Sequence, residues 1–395
     1  MRILHVIPSV ASVHGGPSRA ITLIEQSLVN QNVVVETATT DDDGPGKRLG
    51  HEIAARHESL AGTSRWFFPK QTDFYKVSFP LGRWISKNLE RFDLVHIHSL
   101  FSHTSITAAR RARRAGVPYI VRPLGVLNQY GLQHRRALLK RLSLPLIEAP
   151  ILKHAAAVHF TDDAERLDVE ELGLPLRSVV VPLGIPELIQ GSQKRFLQRH
   201  SEFQGRKMIL FLSRVDPKKG IESLLLAVEI LKKEFGNGFR LAIAGDGKSD
   251  YIGKLKKLSL SLGITNLVTW LGQIEGDEKS DAYAAADIYV LPSYSENFGI
   301  ALVEAMSSGI ACVTSPGVAI SSSVVNAEAG LVVNSDGPAL AGAVKRLLKK
   351  ESLRDRFANN GRDLVRREFS LDVMGYRLKS LYETLLKDQN QTPRF

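Results

Sequence analysis

Two glutamates stand eight residues apart where an apolar run gives way to a loop and then to a helical pattern. We expect this helix to begin near Gly299, which places Glu296 in the loop and Glu304 in the second helical turn, with both carboxylates facing one pocket. Carboxylates accept hydrogen bonds from vicinal hydroxyls, and the backbone N–H groups from Asn297 to Gly299 at a helix start can bind sugar hydroxyls or phosphate. The alternative, acids that compensate a helix dipole, fits Glu296 but not the glycine and the second glutamate together.

Earlier in the second half of the chain, two predicted strands are followed by residues that could bind a ligand, namely two basic residues after the first strand and a glycine after the second. Arg214 and Lys219 follow one predicted strand and are suited to clamping a diphosphate, whose charge grows when its bond to a sugar breaks. An exposed turn ending at Gly220 explains the same residues. Gly245 ends the next predicted strand, where a glycine either admits a ligand close to the backbone or simply ends the strand.

In the first half of the chain, Gly15 and Gly16 follow the first predicted strand and open a helical pattern. Glycines there let a phosphate or sugar approach free backbone N–H groups, although a tight turn explains them equally well. The dinucleotide fingerprint Gly-x-Gly-x-x-Gly is absent. His96 and His98 alternate at the end of another strand, and His98 either faces a ligand or is a packed histidine.

Short Val/Ile/Leu-rich runs alternate with helical patterns throughout, which predicts an α/β protein with parallel sheets covered by helices. Ligands of such sheets bind outside the carboxyl ends of the strands, where the motifs above lie. The residues from 184 to 207 lack a strong period and are interpreted as an interdomain linker. The predicted domains are 1–190 and 206–370, followed by a terminal helix in 371–395. The predicted strands are Ile3–Ile7, Val33–Thr37, Leu94–Ile97, Tyr119–Val121, Ala157–Phe160, Val179–Val181, Met208–Leu212, Arg240–Ala244, Leu267–Trp270, Ile288–Leu291 and Ala311–Thr314.

The composition is that of ordinary soluble proteins: 395 residues, 44% hydrophobic and 24% charged. The only cysteine, Cys312, excludes an internal disulfide and a cysteine-based zinc site. The aspartates at 41–43 and 162–163 are interpreted as a turn and a helix cap, so we expect no metal. The first apolar run is too short for a signal peptide, and no run is long enough to span a membrane. We expect a cytoplasmic protein, at most peripheral at the inner face of the membrane.

The formal net charge of +11 is concentrated in one segment, 110–153, which has ten basic residues against the single acid Glu148. Between Gln133 and Lys153 basic residues alternate with leucines and isoleucines, although Pro145 and Pro150 interrupt any long helix. The segment predicts an anionic membrane surface as a partner. A merely solvated helical face is the alternative. No nucleic-acid module and no aromatic platform for single strands is present, so we expect no nucleic-acid partner.

Together these motifs resemble those of the family 4 retaining glycosyltransferases, and the resemblance covers almost the whole chain. It implies the GT-B architecture, in which two Rossmann-like, doubly wound domains face each other across a cleft. By this resemblance, domain 1–190 is expected to bind the acceptor and domain 206–370 the nucleotide sugar, and the helix in 371–395 is expected to cross back to the first domain. The most specific part is Glu296 with Glu304. It is supported by Ser213-Arg214 with Lys219-Gly220, Gly245-Asp246-Gly247, Gly15-Gly16, Asp93-Leu-Val-His-Ile-His98 and Val179-Val-Val-Pro182-Leu-Gly184.

The resemblance also implies roles for individual residues. The catalytic residues are Arg214 and Lys219, which hold the donor diphosphate, and Glu296, which contacts the transferred sugar. Glu304 is expected to bind the nucleotide ribose. The remaining donor-binding residues are Gly15, Gly16, Gly245, Asn297, Phe298 and Gly299, with His98 and Arg122 on the acceptor side.

The chain departs from the family pattern at two turns. Many members carry a histidine after the fourth strand of the first domain, and here Leu124 stands near that position, which leaves open whether Arg122 replaces it. The turn at 315–318 lacks the common glycine-glycine-x-x-glutamate pattern.

The sequence therefore predicts a retaining, metal-independent hexosyltransferase that needs no cofactor and uses a nucleotide diphosphate sugar as co-substrate. The acceptor is predicted to be a glycan or a lipid-linked glycan of surface polysaccharide. Two alternatives stay open: a sugar-nucleotide epimerase of the same fold, and a non-catalytic protein whose basic face binds an anionic membrane or nucleic acid.

Overall fold

The computed structural model describes residues 1–50, 56–60, 62–127, 140, 142–188 and 190–391, with the backbone alone at 56–60, 390 and 391. The chain divides into two compact units. Unit 1 comprises Met1–Gly184 and Ser370–Phe395, and unit 2 comprises Ile185–Phe369.

Unit 1 is built on an eight-stranded sheet with the order β3-β4-β2-β1-β5-β6-β7-β8. All neighbouring strands are parallel except the edge strand β3, which runs antiparallel to β4. The strands are β1 Arg2–Val6, β2 Val34–Thr40, β3 Arg56–Leu60, β4 Thr63–Phe68, β5 Leu94–His98, β6 Tyr119–Arg122, β7 Ala157–Phe160 and β8 Ser178–Val180.

Unit 2 is built on a six-stranded parallel sheet with the order β11-β10-β9-β12-β13-β14. Its strands are β9 Lys207–Leu212, β10 Phe239–Ala244, β11 Val268–Gly272, β12 Ile288–Leu291, β13 Ala311–Thr314 and β14 Gly330–Val332. Consecutive residues of β9, such as Ile209, Leu210 and Phe211, are all buried, as expected for a parallel strand covered on both faces.

Most of the described helices connect these strands, and the last three follow β14. In unit 1 they are α1 Gly16–Asn30, α2 Phe79–Asn88, α3 His103–Ala115, α4 Ala149–Lys153 and α5 Asp163–Glu170, and a π-helical turn spans Leu144–Glu148. In unit 2 they are α6 Gln193–Arg199, α7 Ile221–Phe235, α8 Ser249–Ser261, α9 Gly276–Ala285, α10 Ile300–Ser307, α11 Ser321–Asn326, α12 Gly337–Lys349 and α13 Glu351–Glu368. The last helix, α14 Leu371–Gln391, belongs to unit 1, where Gly375 lies against the backbone of Ser27 in α1.

The α/β class predicted from the alternating pattern is confirmed, and each predicted strand lies within a few residues of an observed one. Strands β3, β4 and β14 were not predicted. Strands β3 and β4 lack a Val/Ile/Leu run: β4 reads Thr-Ser-Arg-Trp-Phe-Phe, and its Ser64 and Arg65 are only half-buried near the edge of the sheet. Strand β14, Gly-Leu-Val, has only three residues.

The segment interpreted as a linker contains a helix. Helix α6 begins at the cap Ser192, buries Phe196, and lies in unit 2 against α9. Asp281 of α9 is fully buried between the guanidinium groups of Arg195 and Arg199. The polar residues of this segment therefore do not mark a solvent-exposed linker. In a sequence, arginines that neutralise a buried carboxylate cannot be distinguished from arginines exposed to solvent.

Candidate functional site

The loops after β9 and β10 are joined by their backbones at the carboxyl edge of the unit 2 sheet. Val215 and Gly247 form an isolated β-bridge, and the backbone N–H of Val215 donates to the carbonyl oxygen of Asp246 at 2.8 Å. Gly245 has a φ of 135°, and a Cβ there would lie 1.9 Å from the Ser213 oxygen. The glycine predicted from the sequence is therefore required by close packing of two backbones, and its donor-binding role stays a prediction.

The loops after β12 and β13 join the same edge. The backbone N–H of Glu296 donates to the carbonyl oxygen of Gly317 at 2.8 Å. The carbonyl oxygen of Glu296 accepts from the backbone N–H of Ala319 at 3.0 Å. The backbone N–H of Tyr294 donates to the carbonyl oxygen of Lys218 at 2.8 Å, which connects this pair of loops to the loop after β9. The tertiary structure thereby brings together residues that are more than 75 positions apart, because parallel strands end at one edge.

Lys219 and Glu296 form an ion pair at this edge. The Nζ atom of Lys219 contacts Oε2 of Glu296, and the lysine is 7% exposed. Burial and the neighbouring Arg214 guanidinium lower the pKa of Lys219 to about 8, while the carboxylate of Glu296 favours the charged form. Two of the three residues predicted to be catalytic are thus in direct contact.

Arg214, the third of these residues, lies in the same loop as Lys219 and is exposed. It has no ion pair or hydrogen bond with any residue that the structure describes. An exposed guanidinium beside a buried ammonium gives this edge two cations that can receive an anionic ligand.

Glu304 lies in the second turn of α10, as the sequence predicts, and is 1% exposed. Its Oε2 atom is 2.6 Å from Nζ of Lys279 and accepts a hydrogen bond from the Tyr283 hydroxyl at 2.9 Å. The two glutamates are therefore held by different cations, Glu296 by Lys219 and Glu304 by Lys279. Sequence reasoning missed Lys279 and Tyr283, although their spacing of four residues places both on one face of α9.

The residues between the glutamates differ in what they offer a ligand. Phe298 is 3% exposed and packs edge-to-face against Phe369 with ring centroids 5.6 Å apart, so its side chain stabilises unit 2. Gly299 has a φ of 93° and caps α10. Asn297 is exposed. Phe298 and Gly299 can therefore serve a ligand only through their backbones, which agrees with the kind of contact predicted.

In unit 1, Gly15 and Gly16 lie where a short 3-10 turn, Ser12–His14, passes into α1. Gly15 adopts a φ of 66° and a ψ of −117° as the N-cap. The neighbouring His14 ring is 2.8 Å from the buried carboxylate of Asp42.

Asp42 is also paired with Lys70 and Lys76, each at 2.5 Å. Burial alone would raise the pKa of Asp42, but the hydrogen bonds from both lysines lower it below the usual value. This carboxylate, one of the three aspartates assigned to a turn in the sequence, thus contacts two ammonium groups.

The acceptor-side candidates lie inside unit 1. His98 is 0% exposed and Arg122 is 3% exposed, at the ends of the paired strands β5 and β6. They belong to a buried cluster, hereafter the histidine cluster, that also contains His5, His96 and His159. Sequence reasoning missed His5 and His159, which occupy single positions on separate strands and form no pattern until the sheet assembles.

Burial keeps the histidine cluster neutral. It lowers the pKa of His5 and of His159 to about 3, with Arg122 adding to the effect. Burial also lowers the pKa of His96 and His98 well below the usual value. The guanidinium of Arg122 is consequently the one cation among these five side chains.

The ring nitrogens of His5, His96 and His98 lie within 4.8 Å of one another, which raises the question of a metal site. Two nitrogens on one tetrahedral zinc ion are about 3.3 Å apart. Nδ1 of His5 and Nε2 of His98 are 2.7 Å apart, which is a hydrogen bond, and a positive guanidinium lies beside them. The arrangement fits a hydrogen-bonded set better than a set of metal ligands.

Part of the basic segment 110–153 lies outside the described residues, namely 128–139 and 141, with Arg135, Arg136 and Arg141. Within the described part, the side chains of Leu142 and Leu146 are 67% and 76% exposed. Glu148, its single acid, is buried. Among the described helices, none is long and apolar enough to cross a membrane.

Two protein families match the chain. Residues 15–184 match the family described as a glycosyl transferase 4-like domain, and residues 192–364 match the family described as glycosyl transferases group 1.

Curated relatives match part of the chain. A phosphatidyl-myo-inositol mannosyltransferase of Mycobacterium tuberculosis is 33% identical over 241 residues, which is 59% of this chain and 60% of that protein. An uncharacterized glycosyltransferase of Methanocaldococcus jannaschii is 33% identical over 184 residues, 46% of each chain. The chain thus spans about half the length of the curated relatives it matches.

Solved structures share the fold over the whole chain. Sucrose-phosphate synthase from Thermosynechococcus elongatus has a TM-score of 0.76 at 18% identity, covering 98% of this chain and 100% of that one. HepE from Anabaena, in complex with UDP, has a TM-score of 0.77 at 16% identity, covering 97% and 100%.

Proposed function

The chain belongs to the group 1 glycosyltransferases and has their GT-B fold, and from this premise we propose that it transfers a hexosyl group from a nucleotide diphosphate sugar to an acceptor hydroxyl. The proposed acceptor is a glycan or a lipid-linked glycan of surface polysaccharide. HepE was solved with UDP, and the mycobacterial relative is named as a mannosyltransferase, which supports a nucleotide sugar as donor.

The observation that carries this proposal is the meeting of Arg214, Lys219 and Glu296 at the carboxyl edge of the unit 2 sheet. The ammonium of Lys219 exchanges its contact with Glu296 for an oxygen of the donor diphosphate. Glu296 is then released to accept hydrogen bonds from hydroxyls of the transferred sugar. One ion pair thus becomes two contacts with the donor.

The two cations also explain how the leaving group is stabilised. When the sugar–phosphate bond breaks, negative charge develops on the diphosphate, and preorganised cations in a partly buried site stabilise it. Arg214 and Lys219 supply this charge, so the proposed reaction requires neither a metal ion nor a cofactor. The acceptor proton passes to the departing phosphate oxygen, and the sugar keeps its anomeric configuration.

Glu304 binds the ribose of the donor in this proposal. Lys279 lies 2.6 Å from the buried carboxylate, and a carboxylate can accept hydrogen bonds from both ribose hydroxyls. Gly15, Gly16, Gly245 and the backbone at 297–299 complete the proposed donor contacts.

Calorimetric titration tests the donor site directly. UDP, GDP and ADP are titrated with and without magnesium into the full chain and into Glu304→Ala. We expect one nucleotide to bind without metal and the substitution to weaken it. Glu351→Ala, an exposed acid in the same unit, is the matched control and should bind as the parent does. If folded protein binds no nucleotide, the non-catalytic alternative gains support, and sugar conversion without any acceptor would identify an epimerase.

The membrane partner is proposed from the basic segment and its exposed leucines. Leu142 and Leu146 would enter the interface while neighbouring basic side chains contact anionic headgroups. Sedimentation with vesicles containing anionic lipid at low salt tests this. Retention that is lost in Leu142→Ser/Leu146→Ser supports the partner, and failure of the parent protein to sediment removes it.

A further inference from the structure

Three buried side-chain atoms at the carboxyl end of the unit 1 sheet have no hydrogen-bond partner among the described residues: His5 Nε2, His98 Nδ1 and Arg122 Nε. They belong to the adjacent strands β1, β5 and β6, and the register places His98 directly beside Arg122. Buried polar atoms in folded proteins nearly always have partners. Three unpartnered atoms in one cluster therefore indicate a polar group that the described residues do not supply.

The charge of this cluster points to an anion. Arg122 is 3% exposed, and no carboxylate of the described residues lies within ion-pair distance of it. Glu165 contributes only at longer range, because its two oxygens accept hydrogen bonds from the N–H groups of Gly125 at 2.6 Å and Thr161 at 3.0 Å. A buried guanidinium without a counter-ion is unfavourable unless a ligand supplies the negative charge.

One pair of histidines in the cluster is already saturated. The carbonyl of Val181 can only accept, so His159 donates from Nε2 at 2.8 Å, and its Nδ1 accepts from His96 Nε2 at 3.3 Å. His96 Nδ1 then accepts from the hydroxyl of Tyr382 at 2.8 Å. This chain of hydrogen bonds fixes both tautomers and leaves no nitrogen for a ligand.

The other pair, His5 and His98, has one ring nitrogen without a hydrogen-bond partner on each histidine. His5 Nδ1 and His98 Nε2 share one proton at 2.7 Å, so one ring donates to the other. In neutral rings this arrangement leaves one outward N–H and one outward lone pair, whichever ring donates. Together with the Nε–H of Arg122, the cluster offers two donors and one acceptor to a ligand. A matching ligand carries anionic oxygens and also an O–H.

We infer that His5, His98 and Arg122 bind a protonated phosphate group, and that the glycan acceptor of the transferred sugar carries a phosphomonoester. This rests on the proposed function, because it assigns the cluster to the acceptor of that reaction. A phosphomonoester with a second pKa of about 6 retains its O–H in part near neutral pH. A phosphodiester or a sulfate has anionic oxygens but no O–H for the imidazole lone pair.

Binding of small anions to the full chain at pH 6 tests the inference. Inorganic phosphate, methyl phosphate, dimethyl phosphate and sulfate are compared at equal ionic strength by calorimetry and thermal unfolding. We expect phosphate and methyl phosphate to bind about tenfold more tightly than the other two, since one unsatisfied buried hydrogen bond has about this effect. Equal effects of phosphate and sulfate would show an adventitious ion only and overturn the inference.

The variant Arg122→Met tests whether the guanidinium of Arg122 binds the phosphate. The variant should lose phosphate binding by at least about tenfold, and its unfolding temperature without any anion should rise, because an uncompensated buried charge is removed. Arg113→Met, an exposed arginine of α3, is the matched control and should change neither property. A fall in the unfolding temperature of ligand-free Arg122→Met would show that the arginine is a structural partner, which contradicts the inference.

A second variant keeps the test informative if Arg122→Met does not fold. His98→Phe removes the hydrogen-bonding nitrogens and should abolish the preference for phosphate over sulfate. Nucleotide binding is measured on every variant. Intact nucleotide binding with no phosphate preference in the parent would remove this inference alone, whereas absent nucleotide binding would remove the proposed function.

Discussion

At the carboxyl edges of their sheets, the candidate site residues of the two units treat buried charge in opposite ways, although unit 1 also contains a paired buried acid, Asp42, which contacts Lys70 and Lys76. In unit 2, Glu296 is paired with Lys219 and the buried Glu304 with Lys279. In unit 1, the buried Arg122 has no carboxylate within ion-pair distance among the described residues, and burial keeps the surrounding histidines neutral.

This difference bears on how each edge responds to a ligand. A paired edge is stable without its ligand and exchanges internal partners for ligand atoms on binding. An edge with an unpaired buried charge is destabilised by the desolvation of that charge until a ligand supplies the opposite charge. Removing Lys279 should therefore destabilise unit 2, whereas removing Arg122 should stabilise unit 1.

The largest expected effect is on turnover. Lys219→Ala or Arg214→Ala should lower turnover about 100-fold or more, since each removes a cation from the developing charge of the leaving diphosphate. Steady-state kinetics with the donor identified by calorimetry measure this. Lys218→Ala, which removes an exposed neighbour in the same turn, should stay within about threefold of the parent. Full activity in Lys219→Ala and Arg214→Ala would refute the assignment of the site.

The pairing in unit 2 is tested by Lys279→Met. Without the ammonium, the 1% exposed carboxylate of Glu304 loses its ion pair and keeps the hydrogen bond from Tyr283, and the free energy of unfolding should fall by about 2 kcal/mol. Chemical denaturation measures it. The double variant Lys279→Met/Glu304→Gln should regain part of the loss. Opposite stability changes in Lys279→Met and Arg122→Met would sharpen the contrast between the units, and changes of the same sign would break it.

A second unpaired group in unit 1 extends the contrast. Glu148 is buried, it has no ion pair among the described residues, and burial raises its pKa to about 7 against the opposing effect of the Phe101 backbone N–H. Because this pKa lies above the unfolded value, stability falls as pH rises from about 4.5 to 7. Glu148→Gln should raise the unfolding temperature by about 3 °C at pH 8 and by less at pH 5. An equal shift at both pH values would show that Glu148 does not titrate in this range.

The smallest expected effect is a shift of a pH profile. Activity should fall as pH rises above about 8, where Lys219 loses its proton. Glu296 favours the charged lysine, so Glu296→Gln should move this alkaline limb down by about 1 pH unit in addition to lowering activity. Profiles of kcat/KM for the parent and the variant measure the shift. An unchanged limb would mean that another group sets it.

Sequence reasoning recovered much of the fold because its signals are local. Buried parallel strands such as β9 and β12 are continuous apolar runs, and the glycines at 245 and 299 mark turns with positive φ. Strand β4 and helix α6 were missed because their character depends on distant partners. Asp281, for example, lies more than 80 residues from the arginines that neutralise it.

The sequence by itself determined the α/β class, the parallel strands, the position of Glu304 in its helical turn and the family to which the chain belongs, since each of these follows from residue types at short spacing. The tertiary structure alone decided which charges are paired. Lys279 reaches Glu304, and His5 reaches His98 across 93 residues, because sheet register and helix packing bring distant strands and helices together. Burial at those meeting points then sets which groups stay charged, and this depends on depth in the folded unit rather than on neighbours along the chain.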